Sequence, residues 1–579
     1  MRKLPIITTM LVMAVVGAVF AMGQSQETPQ AVSSDTALAR NLNIFNTITQ
    51  YLARAYVDSL RPDEAFEAAI GAMLNTVDPY TEYYNADDKE TLQIMTTGAY
   101  GGIGAFILWR DGNSYISLPI VGSPSYKAGL KAGDRIVMVD TVKVEGKESS
   151  FTTKLLKGDP GTMVTVVVER PYVTDSIITF NIKREKVQDK SVPYYGVKDG
   201  IGFVKLTSFM EKSADEMKEA LESFRKNPEV EGVIIDLRSN GGGLISTAVD
   251  ILGMLLPRNT KVIETRGKVA DSYTQYSTSS SPLLPQMPLV VLIDGESASA
   301  SEITAGAIQD LDRGVLVGQR SYGKGLVQGT YTLPYDGLLK VTTAKYHLPS
   351  GRLIQALDYS HRNPDGSVAR TPDSLTHEFK TVGGRIVRDG GGLVPDTLVK
   401  VPDYSRLLYN LMVTNQIFDY ATKYAAEHPE IAPAGEFRVT DEIYEDFIAF
   451  VDTAKIKSDK TGERLLEELR KSAKTEGFMT EQLGASLDSL APLLAPDLRR
   501  DLTNKREEIS QFLGREIVGR YYNRAGEEEY SLQFDDEYEV AKGILKNKAL
   551  YNSILKEPAG KPHASDAASK SKNKSKKKK

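Results

Sequence analysis

Three serines and one lysine carry the clearest chemistry in this sequence. Ser297, Ser299 and Ser301 follow the apolar run Leu289–Ile293, and Lys324 lies between two glycines further along the chain. An apolar run of this length predicts a buried strand, and the small residues after it predict a tight turn into a helix. At a helix start, unpaired N–H groups and the helix dipole favour developing negative charge. A serine in that position, with a base within reach, can act as a nucleophile.

The composition limits which nucleophile and which base are available. The chain has no cysteine, which excludes a thiol peptidase. It has five histidines, and none lies beside the serines in sequence, so a histidine base is disfavoured, although folding could bring one close. The sequence contains no HExxH motif, which argues against a zinc peptidase.

A lysine can serve as the base only if its pKa is lowered. At the reference pKa of about 10.4, only about 0.04% of the amine is neutral at pH 7. Burial must therefore lower the pKa by roughly two or three pH units. Lys324 is flanked by glycines and followed by Leu326 and Val327, a setting consistent with a desolvated amine. A lone turn lysine is usually solvated, but the nearby serine turn favours a base here.

The position of Glu302 in the sequence weakly favours one of the three serines as the residue that starts the helix. Glu302 lies three residues after Ser299, at the spacing of a capping box, which favours Ser299 at the helix start. A cap is a structural role, so Ser297 remains the alternative nucleophile.

Acyl transfer also needs N–H donors for the oxyanion. One candidate is the backbone N–H of Ala300. The second is a glycine of the Asn240–Gly243 turn, which follows a predicted buried strand at Val233–Leu237 and is flexible enough to point N–H groups into a cleft. The sequence does not distinguish Gly241 from Gly242.

The stretch from Pro288 to Gln328 resembles the carboxyl-terminal processing peptidases, also called tail-specific proteases. These are serine peptidases with a serine–lysine dyad, and the resemblance covers roughly residues 40–400. It implies that Ser299 is the nucleophile, that Lys324 is the general base and that Gln328 positions the lysine. It also implies an oxyanion hole formed by Ala300 and a glycine of the second turn, with no cofactor and no metal.

Glycine signatures between residues 96 and 187 resemble those of a PDZ domain. They are Tyr100-Gly101-Gly102-Ile103-Gly104, Gly122-Ser123-Pro124 with Ala128-Gly129-Leu130, and Gly133-Asp134-Arg135-Ile136. PDZ domains add a peptide strand to a sheet edge and hold its terminal carboxylate with backbone N–H groups. We therefore expect the loop of Gly101, Gly102, Ile103 and Gly104 to be the carboxylate site.

The start of the chain predicts a secretory signal peptide. Arg2 and Lys3 precede an apolar run at Leu4–Phe20, and cleavage is expected after Ala21, with an uncleaved membrane anchor as the alternative. A net charge of −5 argues against a general nucleic-acid binder.

The expected fold is multidomain α+β. It combines an α/β crotonase/ClpP-like peptidase core with an inserted PDZ β-barrel-like domain and helical N- and C-terminal regions. The turn at Asp78-Pro79-Tyr80 is expected to belong to the scaffold. The expected divisions are a signal peptide (1–21), a linker (22–35), an N-terminal helical region (36–95), a PDZ domain (96–187), a serine peptidase core (188–400), a C-terminal helical domain (401–557) and a disordered basic tail (558–579).

The sequence thus predicts an exported serine endopeptidase, periplasmic or extracellular, that cuts protein substrates near their C-terminus. Its expected partners are proteins with free apolar C-termini, and not nucleic acids. A homodimer through the helical regions and a weak contact of the basic tail with the cell envelope are further possibilities. The alternatives are an inactive PDZ-containing binding scaffold of the envelope and, more remotely, a crotonase-like acyl-CoA enzyme.

Overall fold

The structure is a computed structural model that describes residues 34–86, 88–269, 272–400, 402–456, 460–556 and 563–564. The expected signal peptide and most of the expected linker and basic tail lie outside these residues. The chain divides into two compact units, one up to Thr76 and the other from Val77 onward.

The first unit contains two helices, α1 (Ser34–Ala55) and α2 (Pro62–Asn75). Helix α2 begins with a proline and has Asp63 and Glu64 in its first turn, which suits the N-terminal end of a helix. The rings of Phe45 and Phe66 meet edge to face, with centroids 5.9 Å apart. The helical pattern predicted for this region is confirmed over these two segments.

The second unit opens with a short segment and a small antiparallel domain. Its elements are β1 (Glu82–Tyr84), α3 (Lys89–Thr97), β2 (Ala99–Gly102), β3 (Ala105–Arg110), β4 (Asn113–Pro119), α4 (Pro124–Ala128), β5 (Arg135–Val139), β6 (Val142–Lys143), α5 (Ser149–Leu156), β7 (Met163–Glu169), β8 (Ile177–Lys183) and β9 (Glu185–Gln188). Strands β3 to β8 form a six-stranded antiparallel sheet in the order β3-β4-β5-β7-β8, with β6 paired to β5. Strand β2 pairs with β9.

The next segment alternates strands and helices. Its elements are β10 (Tyr195–Lys198), β11 (Ile201–Lys205), α6 (Ser213–Lys226), β12 (Gly232–Asp236), α7 (Ile245–Gly253), β13 (Lys261–Gly267), β14 (Thr274–Ser277), β15 (Leu289–Ile293), α8 (Ala300–Asp310), β16 (Val315–Gly318), β17 (Leu326–Thr332), β18 (Leu338–His347), β19 (Leu357–Arg362), β20 (Val368–Arg370), β21 (Glu378–Lys380), β22 (Ile386–Arg388) and β23 (Thr397–Leu398).

The central sheet has seven strands in the order β10-β11-β12-β15-β16-β23-β24, where β24 is His563–Ala564. Strands β11, β12, β15, β16 and β23 run parallel. All five residues of Leu289–Ile293 are buried, as expected for a strand covered on both faces. The strands predicted at Val233–Leu237 and Leu289–Ile293 are therefore confirmed to within a residue.

A second sheet carries the lysine turn. Its strand order is β1-β18-β13-β14, and β17 also pairs with β18. Lys324 lies two residues before the start of β17, and β1 pairs with β18 through the register Glu82↔Lys340. The segment that follows Val77 is therefore built into the sheet that holds the lysine.

The C-terminal part is helical. Its helices are α9 (Arg406–Val413), α10 (Gln416–Glu427), α11 (Asp441–Phe450), α12 (Thr461–Thr475), α13 (Glu481–Leu494), α14 (Leu498–Asn504), α15 (Arg506–Ser531), α16 (Asp536–Lys546) and α17 (Lys548–Lys556). Helix α15 is broken at Asn523, where φ is 56° and ψ is −160°. No helix of the described residues is both long enough and apolar enough to cross a bilayer.

The last two helices complete the core of the central sheet. Along β15, Leu289, Val291 and Ile293 face a core shared with α6, α7 and α8. Val290 and Leu292 face the opposite core, which α16 and α17 line. This alternation follows from the period of two in a strand. One face of the sheet is thus covered by helices that alternate with its strands in the sequence, and the other face by helices from the C-terminal part of the chain.

Candidate active site

Ser299 lies between the end of β15 and the start of α8. Its backbone has φ 57° and ψ −114°, a conformation that is strained for a residue with a side chain. The hydroxyl of Tyr346 donates to the Ser299 carbonyl at 3.3 Å. Strain held in place by surrounding contacts is typical of reactive positions.

The other two serines have structural partners. The Ser297 hydroxyl is buried and donates to the carbonyl of Leu237 at 2.8 Å. The Ser301 hydroxyl is buried and donates to the carbonyl of Asn240 at 2.8 Å. Ser299 is half-buried, and its hydroxyl donates no hydrogen bond within the described residues. The geometry therefore favours Ser299 over Ser297 as the free hydroxyl.

Glu302 links the serine turn to the lysine turn. Its Oε2 accepts the backbone N–H of Ser299 and that of Lys324, each at 2.9 Å. Its Oε1 accepts the N–H of Gly323 at 2.7 Å and the hydroxyl of Ser321. The carboxyl group is fully buried, and burial raises its pKa, while these donors oppose the shift. The predicted capping-box pairing of Ser299 with Glu302 is therefore part of a larger network.

Lys324 has an environment that favours the neutral amine. Burial, followed by the positive charge of Lys340, lowers the pKa of Lys324 to about 8. The amine nitrogen lies 4.4 Å from the centre of the Tyr80 ring. No acceptor among the described residues bonds to this amine, so Lys324 Nζ is not hydrogen-bonded to Ser299 Oγ. Gly323 has φ +91°, and an added Cβ would lie 2.5 Å from Ala356 Cβ, which fixes the path of the turn.

Gln328 lies on β17 and bonds across to the neighbouring strand. Its Nε2 donates to the hydroxyl of Thr342 on β18 at 3.1 Å. Within the described part of the chain it makes no hydrogen bond to Lys324, so any influence on the lysine passes through the packing of β17.

The triple-glycine turn lies against the nucleophile. An added Cβ on Gly242 would lie 2.8 Å from both Ala300 N and Ser299 Cβ. The side chain of Asn240 accepts the Gly242 N–H at 2.9 Å. By contrast, the N–H groups of Gly241 and Ala300 have no acceptor among the residues that the structure describes. Those two N–H groups are therefore candidates for an oxyanion hole.

A charged cluster joins this turn to the C-terminal helices. Arg238 contacts Asp236 at 2.7 Å, Asp535 at 2.6 Å and also Glu537. Burial opposes ionisation of Asp236, but Arg238 and Lys205 outweigh it and hold the pKa of Asp236 below its ordinary value. The start of α16 is therefore anchored two residues before Asn240, at the base of the turn.

The glycine loop of the antiparallel domain presents two free donors. Gly101 and Gly102 pair with β9. The next two N–H groups, of Ile103 and Gly104, have no acceptor in the described residues. Gly104 has φ +77°, and an added Cβ would lie 2.4 Å from Ser123 Cβ. Since buried N–H groups are nearly always paired, this loop is suited to an anionic ligand.

Arg352, in the Pro349–Arg352 segment, braces the far end of the nucleophile helix. It is 1% exposed, and its guanidinium donates to Gln309 Oε1 at 2.8 Å and contacts Asp310 at 2.7 Å. These contacts give Arg352 a structural role at the end of α8, away from Ser299 at its start.

Three family models match the chain. Residues 200–361 match peptidase family S41, residues 115–170 match a PDZ domain, and residues 407–545 match the C-terminal helical domain of a probable PDZ-protease. A carboxy-terminal-processing protease from Bartonella bacilliformis is 32% identical over 346 residues, which cover 59% of this chain and 77% of the relative. The chain belongs to the carboxy-terminal-processing protease family. The resemblance read from the sequence and the multidomain α+β fold are thus confirmed.

Two further relatives support the assignment of this chain to the carboxy-terminal-processing protease family. A probable CtpA-like serine protease from Staphylococcus haemolyticus is 30% identical over 411 residues, covering 70% of this chain and 80% of the relative. Carboxy-terminal processing protease CtpB of Bacillus subtilis is 28% identical over 335 residues, covering 57% of this chain and 69% of the relative. The chain is therefore a serine-type peptidase by family.

Two features of the protease site were not recognised in the sequence. The sequence predicts a scaffold role for Tyr80, yet its ring covers the amine of Lys324. Glu302 was recognised only as a capping residue, although it also holds Gly323 and Lys324. No local signal in the sequence indicates either contact, because both depend on how distant segments pack.

Proposed function

We propose that this protein is an exported serine endopeptidase that cleaves protein substrates near their C-terminus with a Ser299/Lys324 dyad. The observation that carries the proposal is the shared oxygen of Glu302, which binds the main chain of both residues at 2.9 Å. It holds the two turns together while both side chains remain free to react.

The proposed reaction begins with the neutral amine of Lys324. The amine takes the proton from Ser299 Oγ as that oxygen attacks the scissile carbonyl carbon. The carbonyl oxygen becomes an oxyanion, which the N–H groups of Ala300 and Gly241 stabilise, with Gly242 as the alternative donor. Lys324 then gives its proton to the leaving amine, and an ester links Ser299 to the remaining fragment.

The ester is hydrolysed by water with Lys324 again acting as the base. Attack of water forms a second oxyanion in the same site, and collapse returns the proton to Ser299 and releases the new C-terminus. A rotation of the lysine side chain from the Tyr80 ring toward Ser299 starts each cycle. Gln328 would support the lysine through the β17 strand.

The PDZ domain would select the substrate. A free carboxylate would accept the N–H groups of Ile103 and Gly104, while Gly101 and Gly102 hold the loop through their pairing with β9. The preceding residues of the peptide would add to the edge of β3. Apolar C-termini fit the apolar residues of β3 and α5.

The location and assembly of the enzyme are further parts of the proposal. Export to the periplasm or the extracellular space follows from the expected signal peptide at residues 1–21, in a sequence where Arg2 and Lys3 precede the apolar run. The helical regions would mediate a homodimer, and the lysine-rich tail would contact the envelope. The parallel sheet with helices on both faces supports a crotonase/ClpP-like core.

Covalent labelling tests the proposal against the inactive-scaffold alternative. A serine-directed phosphonate probe should label the mature protein at Ser299 and fail to label Ser299→Ala, while Ser246→Ala, an exposed serine, labels normally. Labelling of Ser297, or none at all in a protein that binds peptide, would contradict the dyad.

A further inference from the structure

The amine of Lys324 is covered by a tyrosine from a distant part of the chain. Tyr80 belongs to the Asp78–Thr81 turn, and its ring centre lies 4.4 Å from Lys324 Nζ. This is a contact distance for a cation over an aromatic face. Tyr80 is therefore a direct neighbour of the proposed base, although the two residues are 244 positions apart in the sequence.

The main chain of the turn holds the Tyr80 ring in place. Asp78 is 3% exposed, and its Oδ1 accepts the N–H groups of Tyr80 at 2.8 Å and Thr81 at 2.9 Å. The Thr81 hydroxyl accepts the N–H of Thr342 on β18 at 3.2 Å. The turn is thereby attached to the same sheet that carries Lys324.

The outer end of the ring is also held. The Tyr80 hydroxyl lies 3.4 Å from the hydroxyls of Tyr322 and Tyr359. The Tyr80 and Tyr359 rings meet edge to face with centroids 5.9 Å apart. The ring is fixed at both ends, so it forms a rigid cover over the amine.

We propose that Tyr80 is a positioning residue for Lys324, whose ring keeps water from one side of the amine and holds it between catalytic cycles. The proposal rests on the proposed function, because it gives Lys324 the role of base. It also gives the Asp78–Thr81 turn a role beyond scaffold.

The ring has two opposing effects on the amine. By excluding water it disfavours the ammonium ion, and by its negative face it attracts the same ion. Burial is the largest influence on the Lys324 pKa. The Tyr80 ring is part of that burial, so we expect exclusion of water to be the stronger of its two effects. The charged groups that act on the Lys324 pKa are Lys340, Asp78, Glu302 and Glu82. The titratable groups that face the Tyr80 hydroxyl are Tyr322 and Tyr359.

Three substitutions separate the two effects from a structural role. Tyr80→Ala opens the amine to water, so the rising limb of kcat/KM against pH should move up by at least about one pH unit, toward the ordinary lysine value. Tyr80→Leu keeps an apolar cover without the aromatic face, so its limb should stay at or below the wild-type position. Tyr80→Phe keeps both and should retain the wild-type limb. Tyr335→Ala, which removes an exposed tyrosine, is the control.

A second measurement reads the amine without turnover. In the Ser299→Ala background, reductive methylation with ¹³C-formaldehyde gives each lysine an NMR signal, and the Lys324 signal is assigned by its loss in Lys324→Arg. Its titration midpoint should rise in Tyr80→Ala and not in Tyr80→Leu. Thermal unfolding of each variant shows whether it folds.

The results are distinguishable. The role of Tyr80 would be overturned if all three folded variants had the same kcat/KM–pH profile and the same Lys324 titration midpoint. An upward shift in Tyr80→Leu as large as that in Tyr80→Ala would also overturn it. A uniform fall in kcat/KM with no change in the limb would show a purely structural role and would also overturn it. Retained turnover in Lys324→Ala would instead refute the proposed function.

Discussion

Ser299 and Lys324 share one hydrogen-bond acceptor. The backbone N–H groups of both residues donate to Oε2 of Glu302, each at 2.9 Å. Their main chains are thus held within two hydrogen-bond lengths of each other whatever the side chains do.

The proposed dyad predicts that both side chains are essential for turnover. Ser299→Ala and Lys324→Ala should each lower kcat by more than about a thousandfold, because each removes a group that reacts directly. Cleavage of an unfolded protein substrate and thermal unfolding should be measured together. Lys345→Ala, an exposed lysine on β18, should behave as wild type. Normal turnover in either dyad variant, with the fold intact, would disprove the mechanism.

The pKa of Lys324 predicts the pH dependence. Because the amine must be neutral to take a proton, and burial lowers its pKa to about 8, kcat/KM should increase between pH 6 and 9 with a midpoint near that value. Initial rates at low substrate concentration check this. A midpoint near the histidine value of about 6.5 would point to a histidine base instead.

Removing one acceptor oxygen from Glu302 should weaken both turns. In Glu302→Gln, an NH2 group replaces one carboxylate oxygen, and the N–H or O–H groups that donated to that oxygen lose their acceptor. We expect this loss to lower the free energy of unfolding by roughly 1–3 kcal/mol. We expect kcat to fall at least tenfold because the alignment of the turns loosens. Urea unfolding and Michaelis kinetics test this, with exposed Glu296→Gln as the matched control. Equal behaviour of the two variants would contradict the linking role.

The free N–H groups of the PDZ loop predict selective loss of peptide binding. In Gly104→Ala the new Cβ would lie 2.4 Å from Ser123 Cβ, whereas in Gly112→Ala, at a similar positive φ, the nearest atom is 3.9 Å away. Fluorescence anisotropy in the Ser299→Ala background should show at least tenfold weaker binding of a peptide with an apolar C-terminus for Gly104→Ala only.

Amidation of the same peptide provides the second comparison. If the loop holds a carboxylate, the amidated peptide should bind weakly to the parent protein as well. Equal affinity for the free and amidated peptides would rule out carboxylate recognition by this loop.

The packing of α16 predicts that the central sheet depends on the C-terminal helices. Leu545 is 3% exposed and lies against Gly232 on β12, so Leu545→Ala should destabilise the protein by about 2–5 kcal/mol. Leu550 on α17 is 39% exposed, and Leu550→Ala should have little effect. Urea unfolding monitored by circular dichroism compares them. Similar unfolding midpoints would show that the helices are dispensable for the sheet.

The strands and the serine turn could be predicted because their signals are local. A strand buried on both faces is a continuous apolar run, as at Leu289–Ile293, and small residues after it leave few alternatives to a turn into a helix. The spacing of Ser299 and Glu302 predicted their pairing for the same reason. The lysine was placed by resemblance, and its low pKa agrees with the glycines and apolar residues around it.

The contacts that could not be predicted join residues far apart in sequence. Nothing near Tyr80 indicates that its turn pairs with β18 and covers Lys324, because that contact depends on how two distant segments pack. The pattern of 404–557 predicted helices, but an apolar face does not reveal its partner. The sequence therefore did not show that Tyr538 and Leu545 would line the core of the central sheet.

The late position of α16 and α17 in the sequence has a consequence for biosynthesis. The helices that cover the second face of the sheet come after every residue of the candidate site in the sequence. Two of the three acidic partners of Arg238, Asp535 and Glu537, also lie at or just before the start of the first of these helices. On the ribosome, the serine and lysine turns are synthesised long before the helices that cover the second face of the sheet. A nascent chain halted before Asp535 should therefore lack hydrolytic activity, because the second face of the central sheet is still uncovered.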